Sequence, residues 1–179
     1  MASELIVQTL KGPTTGANAN KVIIPSGQTL DIDAWTPPAG TVLQVAHGGY
    51  TTSTTTNSTS YANHGLSKAI TPASSSSTFL VVVEIQARLT VGDTGFGFKL
   101  IRTVGGTDTA VFTSATRYDA YSGTAGGGIR EKFTWTRLDS PSTTNEVTYK
   151  VQVATYNANS VEFQDDDNLS TITVMEIAG

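Results

Sequence analysis

Two histidines, His47 and His64, each followed by a glycine, are the only imidazoles in the chain. A Ser-His-Asp triad is defined by space and not by chain order, so either could serve as a general base. No Gly-x-Ser-x-Gly elbow accompanies them, and the reading they favour is loop histidines at the surface or at a subunit contact. Two histidines without a His-x-x-x-His pair and without cysteine also argue against a transition-metal site. The densest charge cluster is Asp165-Asp166-Asp167-Asn168. A hard cation takes six to eight oxygens, but the EF-hand spacing is absent and three adjacent carboxylates cannot all face one ion. A solvated turn is the better reading. Asp31 and Asp33 share a strand face, as acid–base pairs can, yet they sit close to Pro37-Pro38 and read as solvated ends. Gly126-Gly127-Gly128 lacks the Lys-Ser/Thr of a phosphate loop and reads as a mobile connection. No catalytic residue, metal ligand or cofactor is therefore expected.

The remaining chemistry-bearing residues are aromatic. Tyr50, Tyr61, Tyr118, Tyr121 and Tyr156 lie at turns, where stacking platforms for sugars are built and where tyrosines also roof a sandwich core. Tyr50 and Tyr61, which flank a Thr/Ser-rich stretch, are the candidates for glycan contact.

Composition narrows the partners. With 179 residues the chain can bury a full core unaided. The net charge of −4 and pI of about 5.0 leave no basic footprint for nucleic acid. No segment is apolar for the length of a membrane span, and the first twenty residues lack the basic start and apolar run of a signal peptide. Charged residues are 15% of the chain, while Ser and Thr supply about a quarter and glycine contributes 17 residues. That composition predicts an all-β chain rich in turns, with a neutral, hydroxyl-rich surface.

The element that must organise the rest runs over residues 79–91. Phe79, Val81, Val83, Ile85, Ala87, Leu89 and Val91 alternate with Leu80, Val82, Glu84, Gln86, Arg88 and Thr90, a period of two in β-branched and aromatic residues. The first set predicts a core face. The second is apolar at one end, Leu80 and Val82, and wet at the other, Glu84 to Arg88. A dry outer end predicts a covering element or a neighbouring subunit. Further strands are expected near residues 42–46, 95–104, 109–113, 116–121, 131–138, 147–153, 161–163 and 170–177, with no helix longer than a turn or two. Pro37-Pro38 interrupts regular structure, so residues 1–40 are read as an N-terminal arm and residues 41–179 as the head. Short strands with sequence-distant pairings indicate an antiparallel β-sandwich, jelly-roll-like.

Three motifs add a resemblance. Gly65-Leu-Ser-Lys-Ala-Ile-Thr-Pro72 with a serine run and Thr78-Phe-Leu-Val-Val-Val83, then Gly97-Phe-Lys-Leu-Ile-Arg102, then Ser170-Thr-Ile-Thr-Val-Met-Glu-Ile177 occur in this order. Together they resemble β-sandwich domains of fibre and virion-surface proteins of tailed bacteriophages, marine-phage type, across residues 42–179. The chain departs from those domains at Thr78-Phe79, where Lys-Ile is commoner. The resemblance implies a sandwich with the outline of tumour-necrosis-factor and complement heads, usually homotrimeric, and a non-enzymatic structural role in the virion, as a tail fibre or a capsid-surface fibre or decoration protein made in the host cytoplasm. Leu80 and Val82 then become candidate trimer contacts, and the arm a candidate attachment to other virion proteins. Host cell-surface glycan is the alternative partner.

Overall fold

The computed structural model describes residues 11–19, 21–28, 36–123 and 128–179. The chain divides into two compact units, Met1–Thr36 and Pro37–Gly179. In the first, backbone bonds from Ala19 N to Gly16 O, Lys21 N to Asn18 O and Gln28 N to Pro25 O close successive turns. Val22, Ile23 and Ile24 are exposed there and carry no strand. Asp31 and Asp33 lie outside the described residues, as do residues 124–127 of the glycine loop.

The second unit is all-β: β1 (Val42–Tyr50), β2 (Thr54–Thr56), β3 (Ala62–Ile70), β4 (Thr78–Leu89), β5 (Thr94–Val104), β6 (Thr107–Thr113), β7 (Ala120–Ser122), β8 (Ile129–Asp139), β9 (Val147–Thr155), β10 (Val161–Phe163), and β11 (Ser170–Ile177) after one 3-10 turn at Asp165–Asp167. Two antiparallel sheets form a jelly-roll-like sandwich. One runs β1-β11-β4-β10-β2 with β8 on the other edge of β4; the other runs β3-β9-β5-β6 with β7 also on β5. Strands far apart in sequence thus become neighbours, as in β1 with β11 and β3 with β9.

β4 is the long central strand of its sheet, and its alternation is the reason. Phe79, Val81, Val83, Ile85, Ala87 and Leu89 are buried, facing Phe96, Phe98 and Leu100 from β5 and Tyr149 and Val151 from β9 in one core. Trp135 of β8 stacks on Phe98 at 4.9 Å between ring centroids and closes the side of the core beneath that edge. Val91 falls beyond the strand and is exposed.

Two further expectations change. Gln86 was expected on the wet face but is buried, because the 3-10 turn folds over it and Asp165 N donates to its Oε1 at 2.9 Å. His64 was expected in a surface loop but lies buried in β3, wedged between Tyr50 and Phe163 at centroid distances of 5.7 and 5.0 Å.

Candidate functional site

The outer face of the β8-β4-β11-β1 sheet carries the first candidate surface. Register places Leu138, Leu80, Met175 and Val45 in one row across four strands. The next row is Thr136, Val82, Thr173 and His47, and on the other side Ile177 pairs with Val42. Leu138 is 64% exposed, Val45 57% and Val42 53%, while Leu80, Val82, Met175 and Ile177 are half-buried by their neighbours. Strand alternation forces this: with the even-numbered residues of β4 turned outward, every in-register partner of Leu80 and Val82 is turned outward too. Beyond Val82 the face becomes charged, with Lys132 Nζ donating to Glu84 at 2.9 Å and Arg88 to Glu162 at 2.8 Å.

The second candidate surface gathers at one end of the sandwich, where three connections meet: residues 90–93 between β4 and β5, 114–119 between β6 and β7, and 156–160 between β9 and β10. Tyr118, Tyr121 and Tyr156 come together there. Tyr118 lies against Tyr156 at 4.1 Å between centroids and meets Tyr121 edge-on at 5.1 Å. Asp93 ties the group: its carboxylate accepts from the Tyr121 hydroxyl at 2.9 Å and from Asn157 Nδ2 at 3.1 Å, and its backbone carbonyl accepts from Asn159 Nδ2 at 3.0 Å. The neighbouring Tyr156 hydroxyl, above all, pushes the Tyr118 phenol up to about 12, and the Asp93 carboxylate raises Tyr121 as well. Tyr118 and Tyr121 therefore stay neutral at ordinary pH.

Tyr50 and Tyr61 stand apart from this group and from each other. Tyr50 packs against the core beside His64. Tyr61 donates its hydroxyl to Ser114 O at 2.7 Å, and burial raises its phenol. It thereby pins the connection that carries Tyr118. Their place in sequence, at either end of a Thr/Ser stretch, gave no sign of this difference, which depends on partners 53 residues away for Tyr61.

The histidines occupy two unlike settings. His47 Nδ1 lies 3.0 Å from Thr173 Oγ1 on the exposed outer face. His64 Nε2 lies 3.0 Å from Gln164 Nε2, whose amide also donates to Ser170 Oγ, while Gln86 N donates to that same hydroxyl at 2.9 Å. Burial lowers His64 to about 4, so the ring is a neutral acceptor. Among the described residues neither histidine meets a carboxylate. The acidic run is ion-paired and not simply solvated: Arg130 Nε lies 2.7 Å from Asp165 and its Nη1 2.7 Å from Asp166.

No protein-family model and no curated protein matches the chain. Among solved structures it is similar to the Gx strain of infectious bursal disease virus, at 15% identity and a TM-score of 0.48, over 87% of this chain and 40% of that one. It is similar also to the VP2 subviral particle of infectious bursal disease virus, at 12% identity and a TM-score of 0.45, over 93% and 41%. A third likeness is to dimeric latent PorU from Porphyromonas gingivalis, at 12% identity and a TM-score of 0.26, over 86% and 15%. The chain spans about two fifths of the length of the viral chains. At such identities the likeness concerns the sandwich alone.

Proposed function

We propose that this chain is a non-enzymatic structural protein of a tailed-bacteriophage virion, a tail fibre or a capsid-surface fibre or decoration protein, whose head assembles as a homotrimer through its outer sheet face. The observation that carries the reading is the in-register row Leu138, Leu80, Met175 and Val45, flanked by Val82, Ile177 and Val42. A contiguous apolar face on a soluble sandwich marks a contact surface, and closed symmetry is the commonest way to cover identical faces. The sequence motifs supply the virion context, and virus-particle proteins stand among the structural neighbours, in keeping with that role. The first unit, with Val22, Ile23 and Ile24 exposed, is the segment we assign to attachment.

Light scattering behind size exclusion tests the assembly. The expected species is about three times 18.8 kDa, and Leu80→Asp is expected to yield the 18.8 kDa monomer with an unchanged circular dichroism spectrum. A parent chain that stays monomeric across the concentration range would overturn it. Removal of residues 1–36 is expected to leave a folded head that no longer joins particles, and retained incorporation would refute the role of the arm.

A second reading, a module that contacts host glycan, is favoured by the exposed tyrosines at the loop end. Contact through Tyr50 and Tyr61 belongs to this reading too, although both rings are largely engaged within the fold.

A further inference from the structure

Tyrosines at the end of a sandwich ordinarily roof its core. Tyr50 does so here, packing against the buried cluster together with Phe112, Phe133 and Trp135, whereas Tyr118, Tyr121 and Tyr156 do not belong to that packing. Tyr118 and Tyr121 are 43% and 46% exposed, although each ring is held by the others. Holding large aromatic faces open to water costs free energy that core packing does not return.

The connections that present these rings are also held in an uncommon backbone conformation. Asp93, Arg117 and Ala158, one in each of the three converging connections, adopt φ of 54°, 60° and 66°. A side chain at such a φ is disfavoured, most clearly for Ala158, which has no polar group to offset it. The surroundings fix it nonetheless. Asp119 accepts from Phe98 N at 3.0 Å, Arg117 N donates to Ser114 Oγ at 3.1 Å, and Tyr156 N donates to Gly95 O at 2.9 Å. Strained connections, anchored separately and converging on one exposed aromatic group, describe a preorganised surface.

We propose that Tyr118, Tyr121 and Tyr156 with Asp93, Asn157 and Asn159 form a binding site for a neutral sugar, a hexopyranose unit of a glycan. A pyranose ring has an apolar C–H face that matches an exposed tyrosine face, and an equatorial rim of hydroxyls. Phenol, carboxylate and carboxamide groups around the rings supply donors and acceptors for that rim. The sign of charge selects among sugars. The ionised side chain that touches a tyrosine side chain here is the Asp93 carboxylate, and Arg117 directs its guanidinium to the backbone oxygens of Thr59 and Tyr156. An anionic sugar stacked on Tyr121 would meet the Asp93 carboxylate, so uronic and sialic acids are disfavoured. This inference rests on the glycan reading and not on the assembly reading, since the site lies within one chain.

Saturation-transfer NMR and calorimetry on the full chain test it, with the methyl glycosides of glucose, galactose, mannose and N-acetylglucosamine as probes, and glucuronate and a proline-rich peptide as competitors. At least one neutral glycoside is expected to bind saturably below about 50 mM, in the range of a single stacking site. Tyr118→Ala and Tyr121→Ala are each expected to weaken it about tenfold, and Tyr118→Phe, which keeps the ring face, by less than about threefold. Melting curves exclude misfolding of these exposed variants. Absence of saturable binding to all four glycosides, binding indifferent to both alanine changes, or preference for glucuronate or for the peptide would each overturn the assignment. Because oligomeric state is read separately, failure of trimer formation and failure of sugar binding are distinguishable.

Discussion

Tyr149 on β9 donates a 2.7 Å hydrogen bond to the carboxylate of Asp139 on β8, and the same carboxylate accepts from Arg102 Nη1 on β5 at 2.8 and 3.0 Å. One side chain at the edge of the first sheet thus fastens two strands of the second. Burial, with the Asp139 bond and charge behind it, drives the Tyr149 phenol far above its ordinary range. Asp139→Ala leaves a mostly buried guanidinium and a phenol without their acceptor, and is expected to cost about 3 kcal/mol in urea unfolding. Tyr149→Phe removes one neutral donor and is expected to cost about 1 kcal/mol. Equal costs for the two changes would show that the carboxylate is not the hub.

Stability is expected to fall on the acid side in a window set by His64. Its folded value of about 4 lies below the ordinary 6.5, so the unfolded chain takes the proton first. The contribution is present in full above pH 6.5 and is lost as pH falls towards 4, a change of about 3 kcal/mol. Glu176 adds in the same direction. Burial alone would raise it, but the Ser77 hydroxyl, the Gln44 amide and the backbone N–H groups of Ala73 and Ser74 hold it below its ordinary value. Its contribution is lost as pH falls below about 4.5. Unfolding of His64→Gln, followed against pH, is expected to show a flatter profile between 6.5 and 4; an unchanged slope would remove His64 as the cause.

The outer row makes a spatial prediction about assembly. Val45 and Leu80 are 35 positions apart in sequence, yet both flank Met175 in one row. Val45→Asp is therefore expected to dissociate the proposed trimer as fully as Leu80→Asp. Thr134→Asp, in register with Glu84 at the charged end, is expected to leave it intact. Light scattering at matched concentration separates the cases, and dissociation by Thr134→Asp would place the interface elsewhere.

Gly97 gives the connection over β5 its room. A Cβ there would lie 2.6 Å from Arg117 Cα and 2.8 Å from the Tyr61 hydroxyl. Gly97→Ala is expected to displace the connection bearing Tyr118 and to cost about 1–3 kcal/mol, as overpacking does. Chemical-shift mapping is expected to show changes around residues 114–121 and weakened glycoside binding, with the core strands unchanged. A variant with parental shifts in that region would mean that the contact relaxes freely.

The sequence by itself determined what depends on local pattern. Alternation in β4 set its two faces, the dry end at Leu80 and Val82, and the sandwich class, because side-chain period follows directly from strand geometry. The hydroxyl-rich composition likewise spoke for an all-β head. Tertiary structure decided whatever depends on partners distant in the chain. Gln86 is polar and sits on the outward parity of β4, yet it is buried because the acidic turn 79 residues later folds over it. His64 reads as a loop residue until β3 is paired with β9 and Phe163 closes on the ring. Five turn tyrosines look alike in one dimension. Only the convergence of three connections separates Tyr118, Tyr121 and Tyr156, gathered around Asp93, from Tyr50 and Tyr61, which the fold engages, and no short-range pattern encodes which loops meet.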